Sequence, residues 1–297
     1  MPEKIFTRRD FLKMAAIAPL AGAVKPGFAG VFEKGPADKV RVVLVRDKEA
    51  LDSAGRHNPG AIQKMLDDAV MALFGEKTPA EAWRRIIKPS DTVGVKTNVW
   101  SYLPTGRAVE EALKKRIMEV GVSEERISIT DRGVLGDRVF QNATVLINAR
   151  PARTHHWAGM GGCIKNMIMF VPAPWAYHAD ACADLATIWN LPSIKGKTRL
   201  NILLLLTPLF HGIGPHHYSA QYVWPYKGIL VGQDPVAVDA TGVRILQAKR
   251  LQFFGEERPL QPPAQHIVLA DTRHHLGVSS PDRIELVKIG WQENILI

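Results

Sequence analysis

The residues best equipped for chemistry fall in three stretches of the chain. The densest runs from Asn148 to Asn166 and holds Arg153, His155, His156, Lys165 and Asn166, with Gly161-Gly162 just ahead of the lysine. Arginine grips a carboxylate or phosphate with a two-pronged fork, whereas lysine meets it as a point charge. Glycines let the backbone approach a ligand closely, so Lys165 suits anion binding, or nucleophilic attack if burial lowers its pKa. His155 suits general acid/base work. These two are the catalytic candidates. The second stretch, Lys96-Thr97-Asn98, offers another cation and an amide that both donates and accepts. The third is Gly232-Gln233-Asp234-Pro235, followed by Asp239. Asp234 before a proline is placed as a helix N-cap, and Asp239 lies on the next turn, where it can frame a site. Lys96, Asn98, Arg153, Asn166, Asp234 and Asp239 are the ligand-binding candidates.

The chain has ten histidines and two cysteines. His178, His211 and one ring from each adjacent pair, His155-His156 and His216-His217, can converge as imidazole ligands for a divalent metal; His178 and His216 are the metal candidates. Neighbours on an extended strand point to opposite sides, so each pair should offer one ring to the site and one to solvent. Asp131, after a strand, can orient a histidine or a ligand. Cys163 and Cys182 are too few to hold an iron–sulfur cluster, and whether they pair is open. The cofactors compatible with these donors are a divalent metal or a nucleotide-like group. There is no Walker loop, no Gly-x-Ser-x-Gly elbow, no dinucleotide-binding glycine fingerprint and no nucleic-acid-binding signature. Aromatic residues cluster from Trp157 to Tyr226, where they can line a pocket or form a docking surface.

These side chains need a scaffold, and the patterning indicates one. Strands are expected at Val40–Val45, Asp91–Lys96, Arg126–Thr130, Ala143–Ile147, Leu200–Leu206, Gly228–Val231 and Ile284–Ile289. Helical stripes run over Ala61–Phe74, closed by Gly75, over Ala108–Val120, closed by Gly121, and over Pro235–Gln247; a shorter helix should end at Trp83–Ile87. Strands alternating with helices predict an α/β fold, a largely parallel or mixed sheet with helices on both faces. Ligands in such sheets bind beyond the carboxyl ends of strands, where the polar stretches fall.

The N-terminus reads Thr7-Arg8-Arg9-Asp10-Phe11-Leu12-Lys13, then a short apolar run to Val24 and Lys25. This is the pattern of a twin-arginine export signal over residues 1–29, followed by a linker at 30–39 and the α/β domain at 40–297. It predicts passage through the Tat translocase and a periplasmic or otherwise exported protein that does not span the membrane once mature. The net charge of +9 is partly this address, since residues 1–29 hold five basic and two acidic side chains.

Lys96-Thr97-Asn98, the Arg153–Asn166 block, Gly214-Pro215 and Asp234-Pro235-Val236-Ala237-Val238-Asp239 together resemble the DUF362 family, a domain of unknown function, from about Val40 to Ile289. Thr97 stands where that family has proline, Arg153 where it has lysine, and Thr207 where an acidic residue is common. Many relatives carry ferredoxin-like cysteine motifs, so the resemblance implies a redox neighbourhood and a redox partner protein, without a cluster held by this chain. A shorter similarity, His155, Gly161-Gly162, Lys165 and His178, is to nickel-pincer lactate racemases; it implies His155 as acid/base, Lys165 as the cofactor anchor and His178 as a nickel ligand. The resulting expectation is an exported protein binding a small anionic ligand or cofactor in a Lys/His/Asn-lined cleft, as a redox-associated or metal-assisted acid/base enzyme. The alternative is a non-catalytic periplasmic binding or assembly protein working beside a redox complex.

Overall fold

A computed structural model describes residues 39–212 and 218–297. Residues 1–29, expected to be an export signal, all of the expected linker but Lys39, the Gly214-Pro215 pair, His216 and His217 lie outside the described residues. The elements run β1 (Val40–Arg46), α1 (Pro59–Phe74), α2 (Pro79–Arg84), β2 (Val93–Lys96), α3 (Arg107–Val120), β3 (Ile127–Thr130), α4 (Arg138–Gln141), β4 (Val145–His155), β5 (Gly159–Gly161), α5 (Cys163–Asn166), β6 (Thr198–Leu209), β7 (Gly228–Gly232), α6 (Pro235–Phe254), α7 (Gln265–Thr272) and β8 (Ile284–Gly290), with short 3-10 turns between.

Eight strands form one mixed sheet in the order β3-β2-β4-β6-β7-β1-β8, with β5 folded back on β4. The pairs β2–β3, β2–β4, β4–β6 and β1–β8 are parallel; β7 is antiparallel to both neighbours. Both faces are covered, so the central strands are apolar on both sides. The period of two sorts them: Val43 and Val45, with Ile202 and Leu204, pack under α1, α2 and α3, while Val42, Leu44, Leu203 and Leu205 pack under α5 and α6. Asp67 of α1 clasps the first helical layer, accepting from Trp83 Nε1 at 3.1 Å and from Arg116 Nε at 2.8 Å.

Local chemistry sets the ends of elements. Asn58 caps α1 ahead of Pro59, and Gly75 closes it at φ 71°, a left-handed conformation that glycine adopts without a side-chain clash. Asp234 caps α6, as expected, but that helix continues to Phe254 and ends on Gly255. The short helix ends at Arg84 rather than reaching Ile87. The largest departure is β4. The sequence pattern stops it at Ile147, whereas it continues through Asn148, Arg150, Pro151 and Arg153 to His155, wholly buried. Its polar half is a strand because β6 pairs with it to Arg153 and β5 covers its far end. No helix among the described residues is long and apolar enough to cross a membrane.

Candidate functional site

Three adjacent strands place Lys96, Asn148 and Asn201 in one row across the sheet. A buried amide chain follows that row. Asn166 Nδ2 donates to Lys96 O (3.1 Å) and to Asn148 Oδ1 (2.8 Å), Asn148 Nδ2 to Asn201 Oδ1 (2.9 Å), and Asn201 Nδ2 to Gln233 O (2.8 Å). Asn148 Nδ2 also donates to Cys163 O at 3.0 Å. Hydrogen-bonded amides inside a core fix geometry, since a misplaced donor there would go unpaired. Here they fix α5, the four-residue helix that carries Lys165 and Asn166.

Asp239 holds the other end of α5. Its carboxylate accepts from the backbone N–H of Cys163 (2.7 Å) and of Ile164 (2.9 Å). Burial pushes its pKa up to about 7, against the hydrogen bonds, which pull it down. The contact requires glycine at 162, where a Cβ would stand 2.3 Å from Asp239 Oδ1. At Gly161 a Cβ would stand 2.7 Å from Arg150 Nη2, so the buried guanidinium would have to shift.

Beyond the amide row lies a cleft of about 360 Å³, lined by Asn98, Asp131, Arg150, Arg153, His155, Lys165 and His178 among others. Its electrostatics are one-sided. Among the described residues Asp131 is the only carboxylate in the lining, and it is already committed: it pairs with Lys96 Nζ and accepts from Val99 N at 3.1 Å. Burial would push the Asp131 pKa up, but Lys96 and the hydrogen bonds hold it below its ordinary value. Arg150 and Arg153 are each 4% exposed and keep Nε without a hydrogen-bond partner. Arg153 Nη2 donates to Asn98 Oδ1 at 3.0 Å, and its guanidinium lies 4.5 Å from the Trp100 ring centre. Lys165 donates to Cys182 Sγ at 3.7 Å. Burial first, then the neighbouring arginines, lowers its pKa to about 8. Asn166 Oδ1 is a further buried atom without a partner.

The histidines add neutral rings to this cationic wall. His155 and His156 stack at 4.7 Å, and His178 lies parallel to His155 at 6.4 Å and 4.2 Å from Trp157. His155 Nδ1 accepts from Trp157 N at 3.2 Å, so a neutral ring carries its proton on Nε2. Burial, then Lys165 and Arg150, holds the His155 pKa far below the usual range, and burial with Lys165 lowers that of His178 to about 4. The expectation that His155 and His156 point oppositely is corrected: the strand ends at His155, the chain turns, and both rings line the cleft.

The predicted residues thus separate into groups. Asn98, Arg153, His155, Lys165, Asn166 and His178 meet in the cleft. Lys96 lies behind it, fully buried on Asp131. Asp239 supports α5 from outside the lining. Asp234 belongs elsewhere: it accepts from Val236, Ala237 and Val278 N–H groups, which fill its carboxylate with a helix cap and a loop. Antiparallel β7 carries it beyond the row occupied by Asn201, away from the carboxyl ends of β4 and β6. Cys163 and Cys182 are buried free thiols. Among the described residues no group of three His, Cys, Asp or Glu side chains is arranged to hold a metal ion. The stacked imidazoles beside three buried cations fit a divalent cation poorly. Arg150 and Asn201 were not among the site candidates; for Arg150 the available signal is its spacing of two from Asn148 on a strand.

Comparison with protein families matches residues 107–244 to a domain of unknown function, DUF362. No curated protein and no solved structure matches.

Proposed function

We propose, for a chain that carries a DUF362 domain over residues 107–244, that the cleft binds a small anionic ligand, a carboxylate or a phosphate. One observation carries this reading: two buried arginines line the cleft with Nε unpartnered, while its single carboxylate is spent on Lys96. Burying a guanidinium without full pairing is costly, and an anion would supply the missing acceptors. Arg150 and Arg153 are the forks, Lys165 the point charge, and His155 a neutral Nε2–H donor. A bound anion would also offset the cations that oppose protonation of His155, so His155 becomes a base only in the loaded site. Export by the twin-arginine route is part of this reading and rests on the Thr7–Lys13 motif.

The test is titration calorimetry with phosphate and with small mono- and dicarboxylates. Saturable binding that is lost in Arg153→Met is expected. Equal heats for the wild type and Arg153→Met would remove the reading.

A second reading, a docking protein, is favoured by two rings near the cleft: Trp175 is 73% and Trp157 44% exposed. The other aromatics of this stretch weaken it, since Trp189 and Tyr226 are buried and Tyr222 and Trp224 pack on the core.

A further inference from the structure

We infer that Lys165 is an imine-forming lysine: the cleft takes a small carbonyl compound bearing a carboxylate or phosphate, holds its anionic end on Arg150 and Arg153, and condenses its carbonyl with the Lys165 amine. The inference rests on the anion-binding reading above and adds to it the substrate class and a covalent step.

Two buried lysines in this fold show why the role falls on one of them. Lys96 is fully buried, pairs with Asp131 and donates to Thr97 O at 2.9 Å; it does not line the cleft. Its ammonium is held in place and shielded. Lys165 is 3% exposed and does line the cleft. Its hydrogen-bond partner is the sulfur of Cys182, a weak acceptor. Burial raises the Cys182 pKa, so near neutral pH the sulfur is a thiol that supports the ammonium less than a carboxylate would, and its pull upward on the Lys165 pKa does not offset burial. Nearby side chains compound this. Arg150 and Arg153 repel a proton on Lys165, and His155 and His178 are neutral. A lysine so placed holds a much larger share of free amine near neutral pH than a solvent lysine, which favours nucleophilic attack. The helix that carries it is pinned by Asp239 at its start and by the amide chain at Asn166, which gives the amine a fixed approach.

The same arginines that depress the lysine bind the substrate's anion. One charged group therefore serves both purposes, and a simple amine-binding or neutral-ketone site would not need it. In the step, the Lys165 nitrogen forms a C–N bond to the carbonyl carbon and the C=O π pair moves to oxygen. The oxygen then leaves as water, carrying the two amine hydrogens, and a C=N bond remains. No oxidant or reductant is consumed.

The experiment is reductive trapping on the full chain. Pyruvate is the carboxylate probe and dihydroxyacetone phosphate the phosphate probe; lactate and inorganic phosphate are the non-carbonyl controls. Borohydride reduces the imine, and intact mass with peptide mapping locates the adduct. One adduct per chain on Lys165 is expected with at least one probe, and the reactive probe identifies the anion class. At neutral pH, Lys165 should hold roughly a few hundredfold more free amine than a solvent lysine, so its trapping should outrun that of surface lysines. Trapping should be slowed by the matching control anion and lost in Lys165→Arg, which keeps the charge. If Lys165→Arg fails to fold, the slowing by lactate or phosphate in the wild type decides instead: trapping indifferent to both overturns the inference. Binding of pyruvate and lactate by calorimetry without any adduct on Lys165 overturns the imine and leaves anion binding standing. Neither binding nor trapping overturns both.

Discussion

Replacing Asp239 with alanine should show how much of the site depends on one carboxylate. Asp239 is fully buried and accepts the N–H groups of Cys163 and Ile164 at 2.7 and 2.9 Å. Each donor orphaned in the core is worth about 1–3 kcal/mol, so Asp239→Ala loses about 2–6 kcal/mol from the hydrogen bonds alone. Removing a carboxylate whose pKa burial has raised to about 7 recovers part of this near neutral pH, so the loss is read most cleanly below about pH 5, where Asp239 is protonated in the folded protein. A loss of this size is a large share of the roughly 5–15 kcal/mol of a typical domain. Asp239→Asn keeps one acceptor and should fall between. Urea unfolding with linear extrapolation measures the order wild type, Asp239→Asn, Asp239→Ala. Gly162→Ala gives an independent check through a double-mutant cycle. Its Cβ would stand 2.3 Å from Asp239 Oδ1, so it should destabilise the wild type far more than the Asp239→Ala background. Stability of Asp239→Ala within about 0.5 kcal/mol of the wild type, or additive Gly162→Ala and Asp239→Ala effects, would refute the cradle.

Arg150→Met should leave stability unchanged or higher by about 1–3 kcal/mol, because a buried, incompletely paired cation is replaced by an apolar chain; anion binding should fall at least about tenfold, and a large stability loss in denaturation would show Arg150 to be structural. Anion affinity should decline as pH rises through about 8, where Lys165 loses its proton, and a calorimetric series that stays flat across that range would exclude the lysine. Anion binding should move the His155 titration upward, since part of its depression comes from Lys165 and Arg150; imidazole NMR shifts with and without phosphate test this. Acid should unfold the protein from below about pH 6.5. His57, His155, His178, His211 and His266 all have folded pKa values beneath their unfolded ones, so their contribution is present above 6.5 and lost as pH falls. Asp234 and Asp239, raised to about 6 and about 7, act the opposite way between pH 4 and 7; unfolding midpoints at several pH values should show the histidines prevailing.

The regular elements were readable because each rests on local chemistry. The stripe and Gly75 marked α1, Asp234-Pro235 marked the start of α6, and Val40–Val45 alternates between two buried faces as β1. The polar half of β4 was not readable as a strand. Asn148, Arg150, Pro151 and Arg153 have loop composition, and only pairing with β6 and β5, distant in sequence, makes them extended. The parity inside it is also hidden. Asn148 and Arg150 are two apart, but Arg153 and His155 fall in the other parity. The register shift between Pro151 and Arg153 changes the phase, as an irregular strand residue does, and Arg150, Arg153 and His155 all reach the same cleft. The amide chain was beyond reach for a similar reason: Asn201 sits inside an apolar run, and its partners lie 53 and 32 residues away.

Residue type picked out side chains that share one cleft but did not distinguish the partners each one has. Asp234 and Asp239 come from one motif and are both buried acids accepting backbone N–H groups. Asp234 closes the helix that follows it and a loop at Val278. Asp239, five residues on, faces the start of α5 and so governs Lys165. The lysines divide in the same manner. Lys96 has a carboxylate and a carbonyl, and its charge is spent inside the protein. Lys165 has a thiol, and its charge is not. A fold stabilised for its own sake would give both lysines an acid or replace one with leucine. Keeping an unpaired cation beside two incompletely bonded arginines destabilises the empty protein, and that cost is the physical ground on which we propose an anionic ligand for the cleft.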